Sequence, residues 1–371
     1  MMSMMADHWA RKGWAITLLT QGRDDSVPHY DLHPAVTYHA LGRVARPTRL
    51  GLMLSKSQTT KRRLGHPMRW PWSKVRLARN YWTLRQAIRN TQPDVVISFQ
   101  DQTNVEVLLV TRGLGLPVIV SERNDPHEWP IGGGQLRSWL RRRLYPKATY
   151  VVVQTERAMR YFSPEVQAKI RIIPNPVGRP KRQFHEGKHR DRAQTNTLIA
   201  MGRLVAQKGF DLLLEAFAAV AGRHPDWSLD IWGQGPMRPD LEKQADDLGL
   251  NGRVRFLGIT KYPHEKLSHA DLFVLSSRFE GFPNVLCEAM VCGLPVVSFD
   301  CPSGPNEIIR DGVDGVLVPP EDVHKLSETL DRLMRDEVER RRLAAAAPQV
   351  AERFSVEKVM GMWEQLVESC Q

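Results

Sequence analysis

Short apolar runs alternate along this chain with longer stretches in which apolar residues recur every three or four positions. The runs lie at 15–20, 36–41, 95–98, 118–120, 150–153 and 170–173, and again at 198–201, 228–232, 254–258, 272–275, 296–299 and 316–318. Their length and their Val, Ile and Leu content suit strands, those at 95–98, 150–153 and 272–275 buried ones. Helical spacing covers 1–11, 73–89, 104–112, 137–143 and 155–162 in the first half. In the second half it covers 211–221, 239–248, 263–269, 284–292, 321–335, 338–347 and 356–370. In 211–221, Leu212, Leu213, Ala216, Phe217 and Val220 would face a core; in 1–11, Met1, Met4, Met5, His8 and Trp9 share one side. Strand and helix in alternation predict an α/β chain with parallel sheets, whose ligands sit at the carboxyl ends of strands.

The segment 272–299 shows this unit most completely. Its first strand ends at Ser276 and Ser277, and Gly281 and Pro283 break the strand period. Pro283 suits the first turn of a helix, where its missing N–H is not needed. The helix stops at Gly293-Leu294-Pro295 and the next strand follows at once. Two acids lie at this edge, Glu280 in the turn and Glu288 on the helix. Free N–H groups near Phe282, Pro283, Asn284 and Val285 attract phosphate. Two carboxylates beside an anion site suit a ligand with a phosphate in the middle and hydroxyls on both sides, such as a nucleotide sugar.

Other strand ends carry candidates too. Gly202, Arg203, Lys208 and Gly209 form a turn after 198–201, where two cations can neutralise a diphosphate. Gly233-Gln234-Gly235 would let backbone approach a ligand. The polar run Ser121 to Pro126 follows a strand's carboxyl end, where a binding loop belongs. The break at Pro174-Asn175-Pro176 reads as a domain boundary, followed by an exposed polar loop over 178–196. Gly132-Gly133-Gly134 lacks the spacing of a phosphate loop and reads as a hinge.

Glu280 and Glu288, with Gly281-Phe282-Pro283-Asn284 between them, resemble the signature of the retaining glycosyltransferases of family 4, which have the GT-B fold. The resemblance covers most of the chain and is strongest over 200–319. It implies two Rossmann-like parallel-sheet domains facing across a cleft. An acceptor-binding domain would span 1–175, a donor-binding domain 176–353, and a final helix over 354–371 would pack back on the first. It further implies that Glu280 contacts the donor sugar, Glu288 holds the ribose, and Arg203 and Lys208 bind the diphosphate. Gly202, Gly233, Gly281, Phe282, Pro283, Asn284 and Val285 would complete the donor site. Glu122, Arg123 and Asn124 match a loop that reaches the cleft, though many members place a histidine where this chain has Arg123. The family's first strand and Gly-Gly loop have no counterpart, so the fold is expected to be N-terminally incomplete: either the true start lies upstream or part of the site is missing.

Composition narrows the partners. The 371 residues fit two domains, and the charged and apolar fractions are those of a globular protein. Residues 1–177 hold 27 Lys and Arg against 12 Asp and Glu, so the whole net charge of +11 originates in the first half. That half calls for an anionic partner. The stretch 43–89 mixes Lys61-Arg62-Arg63 with Trp70, Trp72, Tyr81 and Trp82, and Arg141-Arg142-Arg143 follows later; this is the composition of a membrane-interface patch or of a solvated helix with core aromatics. No nucleic-acid recognition motif accompanies the charge, so no nucleic-acid partner is expected. Four cysteines without a CxxC pair fit buried thiols in a reducing cytoplasm. No apolar run is long enough to span a membrane and the start lacks a signal-peptide layout. The expected location is cytoplasmic, peripheral at the inner face of the cell membrane.

No Asp-x-Asp occurs, so no metal site and no cofactor is expected. The expected reaction is metal-independent, retaining transfer of a sugar from a nucleoside-diphosphate sugar, UDP-linked in most of the family, to a lipid-linked or glycan acceptor. Two alternatives stand beside it: a nucleotide-sugar epimerase of the same fold, and an inert, truncated paralogue that only binds donor or partner.

Overall fold

A computed structural model describes residues 1–20, 32–41, 72–127, 135–178 and 196–370, with the side chains of 72–78 and 135–137 left aside. Most of the basic stretch 43–89, including Lys61-Arg62-Arg63 and Trp70, lies outside the described residues. So do Gly132-Gly133-Gly134 and nearly all of the 178–196 loop.

Twelve strands are described: β1 (Ile16–Thr20), β2 (Val36–Ala40), β3 (Val96–Phe99), β4 (Val118–Ser121), β5 (Tyr150–Val153), β6 (Ile170–Ile172), β7 (Asn196–Met201), β8 (Trp227–Trp232), β9 (Val254–Gly258), β10 (Leu272–Leu275), β11 (Val296–Phe299) and β12 (Val316–Val318). They form sheets ordered β1-β2, β3-β4-β5-β6 and β12-β11-β10-β7-β8-β9. The registered strand pairs are parallel.

The chain divides into two compact units. One comprises 1–96 and 106–117, the other 97–105 and 118–371. In the first, the Met2–Arg11 helix leads into β1 and β2. Its buried stripe is Met5, Ala6, Trp9 and Ala10, while Met4 is exposed. The expected Met-rich face is thus turned by about one position, keeping Met5 and Trp9; Trp9 packs on Trp14 with ring centroids 5.4 Å apart. On the Trp72–Thr91 helix, Leu84 and Ile88 are buried and Trp82 is 63% exposed.

In the second unit, alternation along the strands of the six-stranded sheet builds a core on each face. Leu198, Ala200, Leu229, Ile231, Leu272, Val274, Val297 and Phe299 pack under the Phe210–Ala221 and Val323–Arg335 helices. Ile199, Met201, Phe273, Leu275 and Val296 face the other way, against Leu286, Cys287, Ala289 and Met290 of the Asn284–Val291 helix. The Val356–Glu368 helix meets the four-stranded sheet. Trp363 lies 6.0 Å from the Phe99 ring, and Ser369 Oγ donates to Tyr150 Oη at 3.2 Å. Cys287, Cys292 and Cys301 are buried, and Cys370 is the partly exposed one. Burial pushes every one of the four thiols above its ordinary pKa.

Phe217 is fully buried in the first of these cores. Phe217→Ala should cost about 3–5 kcal/mol, read as a lowered denaturant midpoint at unchanged slope.

Candidate active site

The order of the six-stranded sheet reverses between β7 and β10: β8 and β9 lie beyond β7, β11 and β12 beyond β10. At such a switch point the loops leaving the two central strands run in opposite directions and open a crevice at the carboxyl edge. Gly202 follows β7 there, and Ser276 to Glu280 follow β10.

These two loops are bound to each other. Arg278 N donates to Gln207 O at 2.8 Å, Gln207 Nε2 to Phe279 O at 2.9 Å, and Ser276 Oγ to Lys208 O at 3.0 Å. The approach requires glycine at 209: its φ is +60°, and a Cβ there would lie 2.0 Å from Ser276 O. Arg278 clamps the same loops from outside, donating to Asp211 at 2.6 and 2.9 Å, to Ala206 O at 2.8 Å and to Glu321 at 3.0 Å. Burial works to raise the Asp211 pKa, but the hydrogen bonds and charge of Arg278 outweigh it and hold it below the ordinary value.

Inside this clamp Lys208 Nζ meets Glu280 Oε1 at 2.5 Å. Glu280 is 6% exposed and also accepts from Ser277 Oγ at 2.7 Å. The exposed Arg203 begins the same loop, and its side chain has no hydrogen-bond or ion-pair partner among the described residues. Gly202 touches the Lys208 side chain: a Cβ would sit 3.4 Å from it. At the end of β8, Gly233 N donates to Gly258 O at 2.7 Å, and a Cβ on Gly233 would stand 1.8 Å from Gly202 O. The backbone after β8 is thereby drawn onto the backbone after β7, where only glycine fits.

The Glu280 loop continues into the Asn284–Val291 helix. Phe282 and Pro283 are buried, with the Phe282 ring 5.3 Å from Phe354. Val285 is half-buried, Asn284 is exposed, and Asn175 Nδ2 donates to Asn284 Oδ1 at 2.7 Å. Glu288 is largely buried; desolvation raises its pKa, against the pull of His264.

The run after β4 divides. Arg123 turns toward this helix, donating to Asn175 Oδ1 and, at 3.3 Å, to Ser121 Oγ, with its guanidinium 5.7 Å from the Phe99 ring. Burial brings its pKa down to about 10. Its carbonyl presses on the Glu280 loop, since a Cβ on Gly281 would lie 2.6 Å from Arg123 O. Asn124 is exposed at the same contact. Glu122 does not join the group. It is 4% exposed, accepts from Tyr145 Oη, and lies 3.8 Å from Arg141. Tyr145 accepts from Asn104 Nδ2 at 3.1 Å, and Ser98 Oγ donates to Asn104 Oδ1 at 2.8 Å. Arg141 is itself 3% exposed and hydrogen-bonded to Tyr161, so of the Arg141-Arg142-Arg143 run only the last two face solvent.

Asn175 and Arg278 escaped the sequence reading. Asn175 looked like a break between two prolines, and nothing marked Arg278 except its place in the strand-to-helix turn.

Desolvation raises the Glu122 carboxyl to about 7, with Arg141 and the Tyr145 hydrogen bond opposing. An acid raised on folding binds its proton more tightly in the folded state. Its contribution is complete below its ordinary 4.5 and is lost as pH climbs through about 7. The thermal midpoint should therefore fall over that interval in the wild type, and Glu122→Gln should flatten the fall.

Residues 1–176 match the model of a glycosyl transferase 4-like domain, and 181–350 that of glycosyl transferases group 1. An exopolysaccharide phosphotransferase of Streptomyces coelicolor is 32% identical over 76% of this chain, which spans only 29% of that protein's length. A Campylobacter jejuni N-acetylgalactosaminyltransferase, named for an undecaprenol diphosphate-linked glycan, is 27% identical over 78% of each chain. Anabaena HepE, solved in complex with UDP, superposes with a TM-score of 0.69 at 21% identity, over 80% of this chain and 84% of its own. Nearly the whole chain is thus matched by a glycosyl transferase 4-like domain followed by a group 1 domain, on the parallel sheets of the GT-B fold.

Proposed function

We propose that this protein transfers a sugar, with retention and without a metal, from a nucleoside-diphosphate sugar, UDP-linked, to a lipid-linked or polysaccharide acceptor. The observation that carries the reading is the Lys208–Glu280 contact at the switch point of the six-stranded sheet, with Arg203 exposed on the same loop.

The chemistry follows from where charge changes. Breaking the anomeric C–O bond leaves negative charge on the departing diphosphate, and preorganised donors lower that barrier most. Lys208 is already fixed by Glu280 and Arg203 is available to ligand. The N–H groups of the first turn near Asn284 add a third source of positive potential. Glu280, buried and hydrogen-bonded by Ser277, orients the sugar in this scheme and need not attack it. The acceptor enters on the face the diphosphate leaves, and the leaving phosphate takes its proton. Glu288, with its pKa raised by burial, is assigned the ribose hydroxyls.

The lipid-linked acceptor is favoured by the naming of the Campylobacter relative and by the surface of the Gln135–Leu144 helix. There Trp139 is 58% exposed, and Arg142 and Arg143 face solvent. An exposed indole among guanidinium groups suits a membrane interface with anionic headgroups. No helix among the described residues is long and apolar enough to cross a membrane.

A panel of nucleotide sugars with a polyprenyl diphosphate-linked acceptor tests the reading. Glu280→Gln and Lys208→Ala should each lower kcat/KM by about a hundredfold or more, the scale of one preorganised transition-state contact. Arg203→Ala should act chiefly through donor KM. Chelator should leave the rate unchanged, and the anomeric configuration should be retained. Undiminished transfer by either of the first two variants would remove the mechanism, and epimerisation of donor alone would replace the function.

A further inference from the structure

Three side chains from three separate segments form a line of hydrogen bonds into the donor helix. Arg123 comes from the loop after β4, Asn175 from the Pro174-Asn175-Pro176 crossing, and Asn284 from the first position of the Asn284–Val291 helix. Arg123 Nη2 donates to Asn175 Oδ1, and Asn175 Nδ2 donates to Asn284 Oδ1 at 2.7 Å. We propose that Arg123 and Asn175 are positioning residues that set which end of the Asn284 amide faces the bound nucleotide, so that Asn284 offers N–H groups to phosphate oxygens. The inference rests on the donor reading above and adds to it a residue pair whose role is orientation.

The direction of the line follows from its first member. A guanidinium has donors only. The Asn175 oxygen must therefore face Arg123, and its NH2 group must face away. The oxygen of Asn284 is then the partner that NH2 requires, and the NH2 of Asn284 is left on the outer side of an exposed residue. An amide alone can turn either way, and its two ends differ little in shape. Here the choice is made two members back along the line, at Arg123.

Each member is held. Arg123 is kept in place by Ser121 Oγ and the Phe99 ring. Its carbonyl is packed on Gly281. Asn175 is 7% exposed, and the prolines on either side restrict its backbone.

Asn175→Asp is the informative change. Aspartate keeps an oxygen toward Arg123 but presents its other oxygen to Asn284. The Asn284 amide must turn round and show its own oxygen to the phosphates. Binding is read by calorimetry with UDP, GDP and ADP, and with the nucleoside matching whichever diphosphate the wild type binds. Diphosphate affinity should fall about tenfold or more, one hydrogen bond to a charged group, while nucleoside affinity stays unchanged. Asn175→Ala, which frees the amide without reversing it, should lose about threefold, a neutral hydrogen bond's worth; it also serves if the aspartate variant does not fold. In an Asn284→Ala background, Asn175→Asp should have no further effect, since it acts only through that residue. Equal diphosphate binding by wild type and both folded Asn175 variants overturns the inference and leaves the donor reading standing. So does an equal loss of nucleoside binding, which marks a general structural defect. A wild type that binds none of the three diphosphates takes the donor reading down, and this inference with it.

Discussion

The carboxyl edge of the six-stranded sheet depends on two loops staying against each other. β7 and β10 are hydrogen-bonded neighbours, but the chain leaves them in opposite directions, and nothing in the sheet itself holds their loops together. Backbone and side-chain hydrogen bonds between 206–208 and 276–279 do that, with Arg278 bridging Asp211 and Glu321 around them. Only when the loops are closed do Lys208 and Glu280 meet. A buried carboxylate of this kind is tolerable because a cation and a hydroxyl face it. The same desolvation that makes the pair costly makes its field strong at the carboxyl edge of the sheet.

Much of this could be read from residues alone, for a physical reason. Parallel strands covered on both faces must be apolar along their whole length, so 150–153, 272–275, 296–299 and 316–318 stand out as runs and end where the strands end. Helix ends were less sharp, because amphipathic spacing continues past the last hydrogen-bonded turn. The short Pro164–Gln167 and Val350–Arg353 helices gave no periodic signal at all.

The site was legible in its parts and not in its wiring. A glutamate pair across a strand-to-helix turn and two cations after a glycine announce themselves in one dimension. The partner of a polar side chain does not. Glu122 sits in a polar run and looks like a loop acid, but Tyr145 and Arg141, far along the chain, draw it inside. Arg141 looked like one of three surface arginines for the same reason. Asn175 had the appearance of a break between prolines, and only the fold shows its amide wedged between Arg123 and Asn284.

The distribution of thiols has a practical side. Cys287 and Cys292 are sealed in the core around the Asn284–Val291 helix and Cys301 in the core on the other face of the sheet, while Cys370 lies partly open beside the last turn of the Val356–Glu368 helix. Alkylating reagents need both access and thiolate. The folded molecule therefore presents one slow attachment point for a dye at its extreme end, without any engineering. The other three become an internal clock: the pace at which they take up label under native conditions measures how often the six-stranded sheet and its helices open.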